Sequence, residues 1–492
     1  MTSALYLFLL VPLVAGVLVA LMGKRSPAVA DALATLAAGV LSLMALVSVG
    51  KSGILWITGG VPPQGTPGMS LVLDGPAVVM LITTNLIGLA GALYSIAYVE
   101  RALKVRHHAL LMLSLAGANW AVLAGDLVGV LVAVAMVSAA AYAMLAHRGA
   151  GADARAASKY LVAAGIGVAL VLAGMLVTYG SAHSVNMAQV AKTVGTGPTT
   201  WHLLALALFL VGLGLQAGMF PFHGWLVGLV DSAPTSFSAT LCGVLMKAVG
   251  VFAMMRVLFN ALGATPTVLS LLLVLGALSI IIGALAALAQ NDLKRVLSYH
   301  TISETGFVLL GLGLGTRLGI AAALFHMMNV AVAKTLLFMN AGSLEHATGG
   351  TSYDRLGDVK HKLPVVGATS TIGALSLSGI PPFGGFWSKL FILVAVVQAE
   401  RYGYAAWMVA GSILTIASMA RFQKVVLHDQ AREGMETRRA VPALMQAVAV
   451  VLTALCFSMG LLWLPRIQAD FFMSAAKVIQ EGVTYGANIL GM

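Results

Sequence analysis

Charge is what this sequence has least of: 28 lysines and arginines and 17 aspartates and glutamates among 492 residues, 9% in all, where soluble globular domains carry about 25%. With 60% hydrophobic residues and a mean hydropathy of +0.96, that shortage excludes a soluble multidomain protein and points to a chain whose solvent is lipid. Cysteine is nearly absent. Cys242 and Cys456 both sit inside apolar runs, so neither a disulfide framework nor a cysteine metal site is supported, and there is no cluster to hold iron and sulfur. The sequence also has no P-loop and no glycine-rich nucleotide fingerprint in a strand-helix context. No resident cofactor or metal is expected. Energy from nucleotides or electrons must come from partners.

What the chain has is apolar length. A transmembrane helix needs about 20 predominantly apolar residues, and such runs recur almost end to end, predicting an all-α polytopic membrane protein of about 14 spans. The first run, "LYLFLLVPLVAGVLVALMG", has no basic region before it and no small-residue cleavage site at "KRS", so it reads as a retained span. Basic residues fall in alternate loops: Lys24 and Arg25; Arg101, Lys104 and Arg106; Arg148 and Arg155; Lys294 and Arg295; Arg355, Lys360 and Lys362; Lys424, Arg432, Arg438 and Arg439. The intervening loops hold little beyond Lys51, Lys192, Arg317 and Arg401. By the positive-inside rule the basic side is cytoplasmic, with both termini on the opposite side. The net charge of +11 therefore reports topology, and no nucleic-acid partner is expected. The segment 467–492 has a mixed character that suits an interfacial helix or a loose tail.

Two stretches break the apolar pattern in the same way. "GLQAGMFPFHGWLVGLV" carries Pro221, and "LSGIPPFGGFWSKLF", about 160 residues later, carries Pro381 and Pro382; each has glycines nearby and a lysine further on. Proline removes a helical hydrogen bond and crowds the preceding turn. At membrane depth that is tolerated only where the freed backbone faces protein or a water-filled cavity. Paired interruptions in two halves are the best sequence pointer to a transport site, against the alternative of ordinary interfacial loops.

Ionisable residues fall within the same region. Lys247 lies mid-span, where an isolated charge costs about 2.5 to 3.5 kcal/mol on insertion scales. His326 and Lys334, eight residues apart, project from nearly one face of their span, Glu304 lies about three turns beyond Asp292, and Lys389 follows the second break. Any one of these could be a structural hydrogen-bond partner; together on consecutive spans they suit a stepwise proton relay. Buried lysine is poised between desolvation and neighbouring carboxylates, and histidine titrates near neutrality. A sodium path would need several oxygens at a common site. Besides Glu304, only Asp74, Asp126 and Asp231 near span ends offer carboxylates, which favours protons.

The motifs "LDGPAVVMLITTNLIGLAGALYSIAYV", "FPFHGWL" with "APTSFSATLCGVLMK", "NDLKRVLSYHTISETGF", "HMMNVAVAKTLLFMNAGSL" and "GIPPFGGFWSKLFIL", in this order, resemble the antiporter-like membrane subunits shared by respiratory complex I, energy-converting membrane hydrogenases including formate hydrogenlyase, and Mrp-type cation/proton antiporters. The resemblance implies two inverted five-helix repeats, 108–260 and 266–425, each with a broken helix. They follow three helices in 1–107 and precede a last helix and interfacial segment in 440–492. It implies that Lys247 is the central lysine, His326 and Lys334 the connecting residues, and Lys389 the terminal lysine that communicates with one side of the membrane. It also exposes departures. Ala135 stands where the family has a glutamate and Gln216 where it has the paired lysine; a further histidine is Val330 here. Loss of both partners is physically coherent, because removing one from a buried pair costs about 3 to 5 kcal/mol.

Three functions follow from the resemblance. The chain relays protons through its second repeat; or it no longer translocates and serves as a structural coupling subunit of a membrane oxidoreductase; or it is a stand-alone transporter, which the family's multisubunit habit disfavours. Expected partners are further membrane subunits, some of them antiporter-like, a peripheral redox arm, and the lipid of a bacterial or archaeal cytoplasmic membrane.

Overall fold

The computed structural model describes residues 4–23, 26–56, 70–146, 152–195, 199–430 and 436–484. Lys24, Arg25, Arg148 and Arg432 of the basic loops, and 485–492 of the tail, lie outside the described residues. Helix dominates, and among the described residues ten helices are long and apolar enough to cross a membrane. Two further apolar helices, Leu7–Met22 and Gly384–Gln398, are shorter. Other helices of span length fall below that apolarity because they carry polar groups: Lys104–Leu123 holds His107, His108 and Asn119, and Leu293–Gly313 holds His300 and Glu304. All five of these side chains are buried, so they face protein rather than lipid.

The layering follows from burial. Thr235–Ala261 and Arg317–Thr348 are enclosed along their whole apolar length, whereas Ala154–Ala182 and Tyr402–His428 leave most of theirs exposed. The outer helices present Val162, Leu176, Trp407 and Ile413 outward, as a lipid-facing surface requires. Leu293–Gly313 is held tightly against Pro266–Leu288. A Cβ on Gly306 would come within 2.5 Å of Gly276 O, and one on Gly276 within 2.8 Å of Leu310 N, so only glycine permits this approach.

Several helix starts are capped by short polar side chains that take otherwise orphaned backbone N–H groups. Asp126 accepts from Gly129 N at 2.7 Å, and Asp292 from Lys294 N at 2.9 Å. Each capping aspartate also bridges to a distant loop in extended backbone, Asp126 to Asn186 and Asp292 to Ser352. The all-α expectation needs one correction. Gly53–Trp56 and Ser70–Leu73 pair antiparallel, with Gly53 opposite Leu73. The second strand is buried and anchored at a helix start, where Ser70 N donates to Asp126 Oδ2 at 2.8 Å and Gly125 N to Ser70 O at 2.9 Å.

The segment after Arg466 continues as helical turns through Ser474–Gln480 and packs on the bundle. Asn260 donates to Val478 O at 2.8 Å and Arg317 to Met473 O at 2.9 Å. The described part of this tail is helical.

Candidate functional site

The second break is built first by backbone. Helix Pro364–Ser378 ends at Gly379, whose φ of 75° is a left-handed conformation that glycine adopts without strain, and helix resumes at Gly384–Gln398. A Cβ on Gly385 would overlap the Ser376 carbonyl, so the two halves meet backbone to backbone. Lys389 lies in the second turn after the break, buried, and reaches back across it. Its Nζ donates to Leu377 O at 2.9 Å, a carbonyl just before the break, and to Glu304 Oε1 at 2.9 Å. The ammonium also sits 4.7 Å from the centroid of the Phe307 ring.

Glu304 serves two partners. Its Oε2 lies 2.9 Å from His326 Nε2, a close contact that is out of line for a hydrogen bond. On the other side of that ring, His326 Nδ1 is 2.9 Å from Ser388 Oγ, and the Ser388 hydroxyl donates to Gly385 O at 3.1 Å. A hydroxyl can donate or accept, so Ser388 can meet Nδ1 in either tautomer of the ring. The buried imidazole thus stands between a hydroxyl and the Glu304 carboxylate, and that carboxylate also holds the Lys389 ammonium.

The two lysines on the central helices have carbonyl partners instead. Lys334 Nζ donates to Leu297 O at 2.5 Å, which keeps it against the same helix as Glu304, about two turns away. Lys247 Nζ donates to Cys242 O and Gly243 O, both at 2.7 Å. Its helix is widened there to i to i−5 bonding, as in the Met246 N–H to Leu241 O bond, which leaves carbonyls for a side chain to take. Gly243 in turn packs directly on Thr335, the neighbour of Lys334, so both lysines border one helix-helix contact.

The first break repeats the backbone but not the charge. Helix Thr200–Ala217 ends at Gly218 with φ 62°, and the Phe220–Pro221 segment follows before Leu226–Ser232. Here the carbonyl before the break, Leu215 O, is taken by the Trp225 indole at 3.0 Å, not by a lysine. Gln216 accepts from Ser138 Oγ at 3.2 Å and donates to Ala164 O at 3.3 Å. Ala135 is half-buried, one turn before Ser138. A neutral hydrogen bond thus stands near the positions where the sequence resemblance expects an ion pair.

Of the residues singled out from sequence, Glu304, His326 and Lys389 come into direct contact, Lys334 and Lys247 lie on the adjoining central helices, and Pro221, Pro381 and Pro382 lie in the breaks. Sequence reasoning missed Ser388, Phe307 and Asn329. Both polar atoms of the Asn329 amide are buried without a hydrogen-bond partner, and a Cβ on Gly384 would stand 2.5 Å from its Oδ1, so Asn329 adds an unsatisfied polar group beside the break. The only signal it gave was its place one turn after His326. Cys242 and Cys456 are both free and buried, and no group of metal-ligating side chains occurs among the described residues.

Residues 124–416 match the family model described as NADH:quinone oxidoreductase/Mrp antiporter, TM. The D-type subunit of the Na(+)/H(+) antiporter of Alkalihalophilus pseudofirmus is 32% identical over 430 residues, covering 86% of each chain. The N-type subunit of the NADH-quinone oxidoreductase of Desulforudis audaxviator is 30% identical over 428 residues, covering 85% of this chain and 84% of that one. A chain in the structure of the Mrp complex from Dietzia sp. DQ12-45-1b superposes with a TM-score of 0.91 at 25% identity, covering 100% of this chain and 99% of that one. The chain belongs to the NADH:quinone oxidoreductase/Mrp antiporter transmembrane family.

Proposed function

We propose that this antiporter-like subunit works inside a multisubunit ion-translocating membrane complex and relays protons through Lys247, Lys334, His326, Glu304 and Lys389. The observation that carries this reading is the buried series His326, Glu304 and Lys389: one carboxylate lies 2.9 Å from both an imidazole nitrogen and an ammonium, beside a helix break. Lys389 is the outlet, since it lies at a helix break, beside the buried Asn329 amide that lacks a protein partner. The same reading divides the chain into 1–107, inverted repeats 108–260 and 266–425, and 440–492, with 14 helices. Supporting it are the left-handed glycines that open both breaks and the matched bridges Asp126 to Asn186 and Asp292 to Ser352. The arginine-rich face is cytoplasmic, both termini lie opposite, and the partners are further antiporter-like subunits with a peripheral redox arm or an Mrp-type assembly.

The test is proton translocation by the assembled complex in proteoliposomes with Lys389→Ala or Lys247→Ala. Loss of translocation with assembly intact is the expected result, and unchanged translocation rules out the relay. The second reading, a coupling role without translocation, draws on the neutral Ser138–Gln216 contact in the first half; unchanged translocation would favour it.

A further inference from the structure

A cavity of about 670 Å³ opens at the arginine-rich end of the bundle, away from the Lys389 cluster. Exposed Glu100, Arg438 and Arg439 stand at its rim, buried His107 and Met144 at its floor, and half-buried Glu345 in its wall. Glu345 is near the end of Arg317–Thr348, the enclosed helix that also carries Lys334 and His326.

The groups around Glu345 form a descending polar series. Its Oε2 accepts from Tyr98 OH at 2.8 Å and from Thr235 Oγ1 at 2.5 Å. One turn deeper, the Tyr94 ring lies 5.4 Å from that of Tyr98, and its hydroxyl donates to Met339 O at 2.6 Å and touches Ser343 Oγ at 3.3 Å. Gly342 permits this: a Cβ there would stand 2.7 Å from Tyr94 OH. These residues sit on the helices Gly75–Tyr98, Thr235–Ala261 and Arg317–Thr348. Two of the three carry Lys247 and Lys334, and Glu345 is about 16 Å from Lys334 along its helix. Glu100 and Glu345 stand among Arg106, Arg438 and Arg439, so the lining mixes both signs, and Glu345 is the carboxylate joined to the hydroxyl series.

We propose that this cavity is the water-filled proton entrance from the arginine-rich face and that Glu345 is the first protein group to take the proton. A hydronium ion gives its proton to a Glu345 carboxylate oxygen. The hydroxyls of Tyr98, Thr235, Tyr94 and Ser343, with intervening water, then carry it toward Lys334 and Lys247. The inference rests on the relay reading above, which leaves the entrance unassigned within this chain.

The test uses the assembled complex in proteoliposomes. Glu345→Gln is expected to slow translocation at least about tenfold, below the 10²- to 10⁴-fold typical of a positioned proton-transfer group, and Glu345→Asp to restore part of it. Met144→Cys, at the cavity floor, is expected to react with a membrane-impermeant maleimide added on the arginine-rich side; the buried Cys242 and Cys456 set the background. If Lys389→Ala abolishes translocation while Glu345→Gln leaves it unchanged, the entrance is overturned and the relay stands. If neither variant matters, the relay fails and the entrance with it. An unreactive Met144→Cys, as a lipid-filled cavity would give, also overturns the entrance.

Discussion

Glu304 is the residue on which the others depend. It is buried, it neutralises Lys389 at 2.9 Å, and it faces His326 at the same distance. Removing one partner of such a pair leaves an uncompensated buried charge, which costs about 3 to 5 kcal/mol, whereas removing both is often nearly neutral. Lys389→Met is therefore expected to lower the thermal stability of the purified complex markedly. Adding Glu304→Gln is expected to recover most of the loss while translocation stays absent. Additive losses in the double variant would show that the pair does not act as a unit. Much of this cluster was legible in the sequence because a charge in an apolar run is conspicuous. Ser388 and Asn329 were not legible, since serine and asparagine are ordinary in such helices and their importance depends on which backbone they meet after packing. The sequence also could not show that Lys334 and Lys247 satisfy themselves on carbonyls.

Elements here are shaped by their ends. Both interrupted helices were readable from proline and glycine, but the difference between them was not: Trp225 closes the first break by bonding Leu215 O, while Lys389 uses the second by bonding Leu377 O. The short ladder Gly53–Trp56 with Ser70–Leu73 escaped a reading tuned to apolar runs of helical length. That ladder depends on Asp126, whose side chain caps Leu127–Leu145 and accepts from Ser70 N. Burial pushes the Asp126 carboxyl up to about 6, against the backbone N–H groups that pull it down. An unfolded aspartate titrates near 3.9. A raised folded value means that the carboxyl's contribution to stability is fullest below about 4 and declines as pH rises to about 6. The Asp126→Asn variant keeps an acceptor for the cap without this titration. The thermal midpoint of wild type relative to that variant is thus expected to fall as pH rises from about 4 to about 6 and to level off above. Asp126→Ala is expected to cost about 1 kcal/mol through the lost cap. A midpoint difference that does not change with pH would show that Asp126 is not the titrating group.

At the scale of the whole molecule, two halves with matched breaks carry different chemistry. The second half holds Glu304, His326 and Lys389 in contact; the first holds Ser138 and Gln216 joined by a neutral hydrogen bond at 3.2 Å, with Tyr160 and Trp225 packed nearby at 5.1 Å between ring centroids. A proton path needs groups that change protonation, and an amide and a hydroxyl do so only through water. The Ser138–Gln216 contact can therefore be made apolar without loss of transport if the path enters at the arginine-rich end, passes Lys247 and leaves at Lys389. Gln216→Leu is expected to leave translocation by the assembled complex within about twofold of wild type. The change would lose the hydrogen bonds to Ala164 O and from Ser138 Oγ and cost about 1 to 3 kcal/mol for the two. Stability and transport would then separate. A fall in translocation as deep as that of Lys389→Ala would mean that Gln216 orders water on the path itself, and the region of the first break would have to be counted as conducting despite its missing charges.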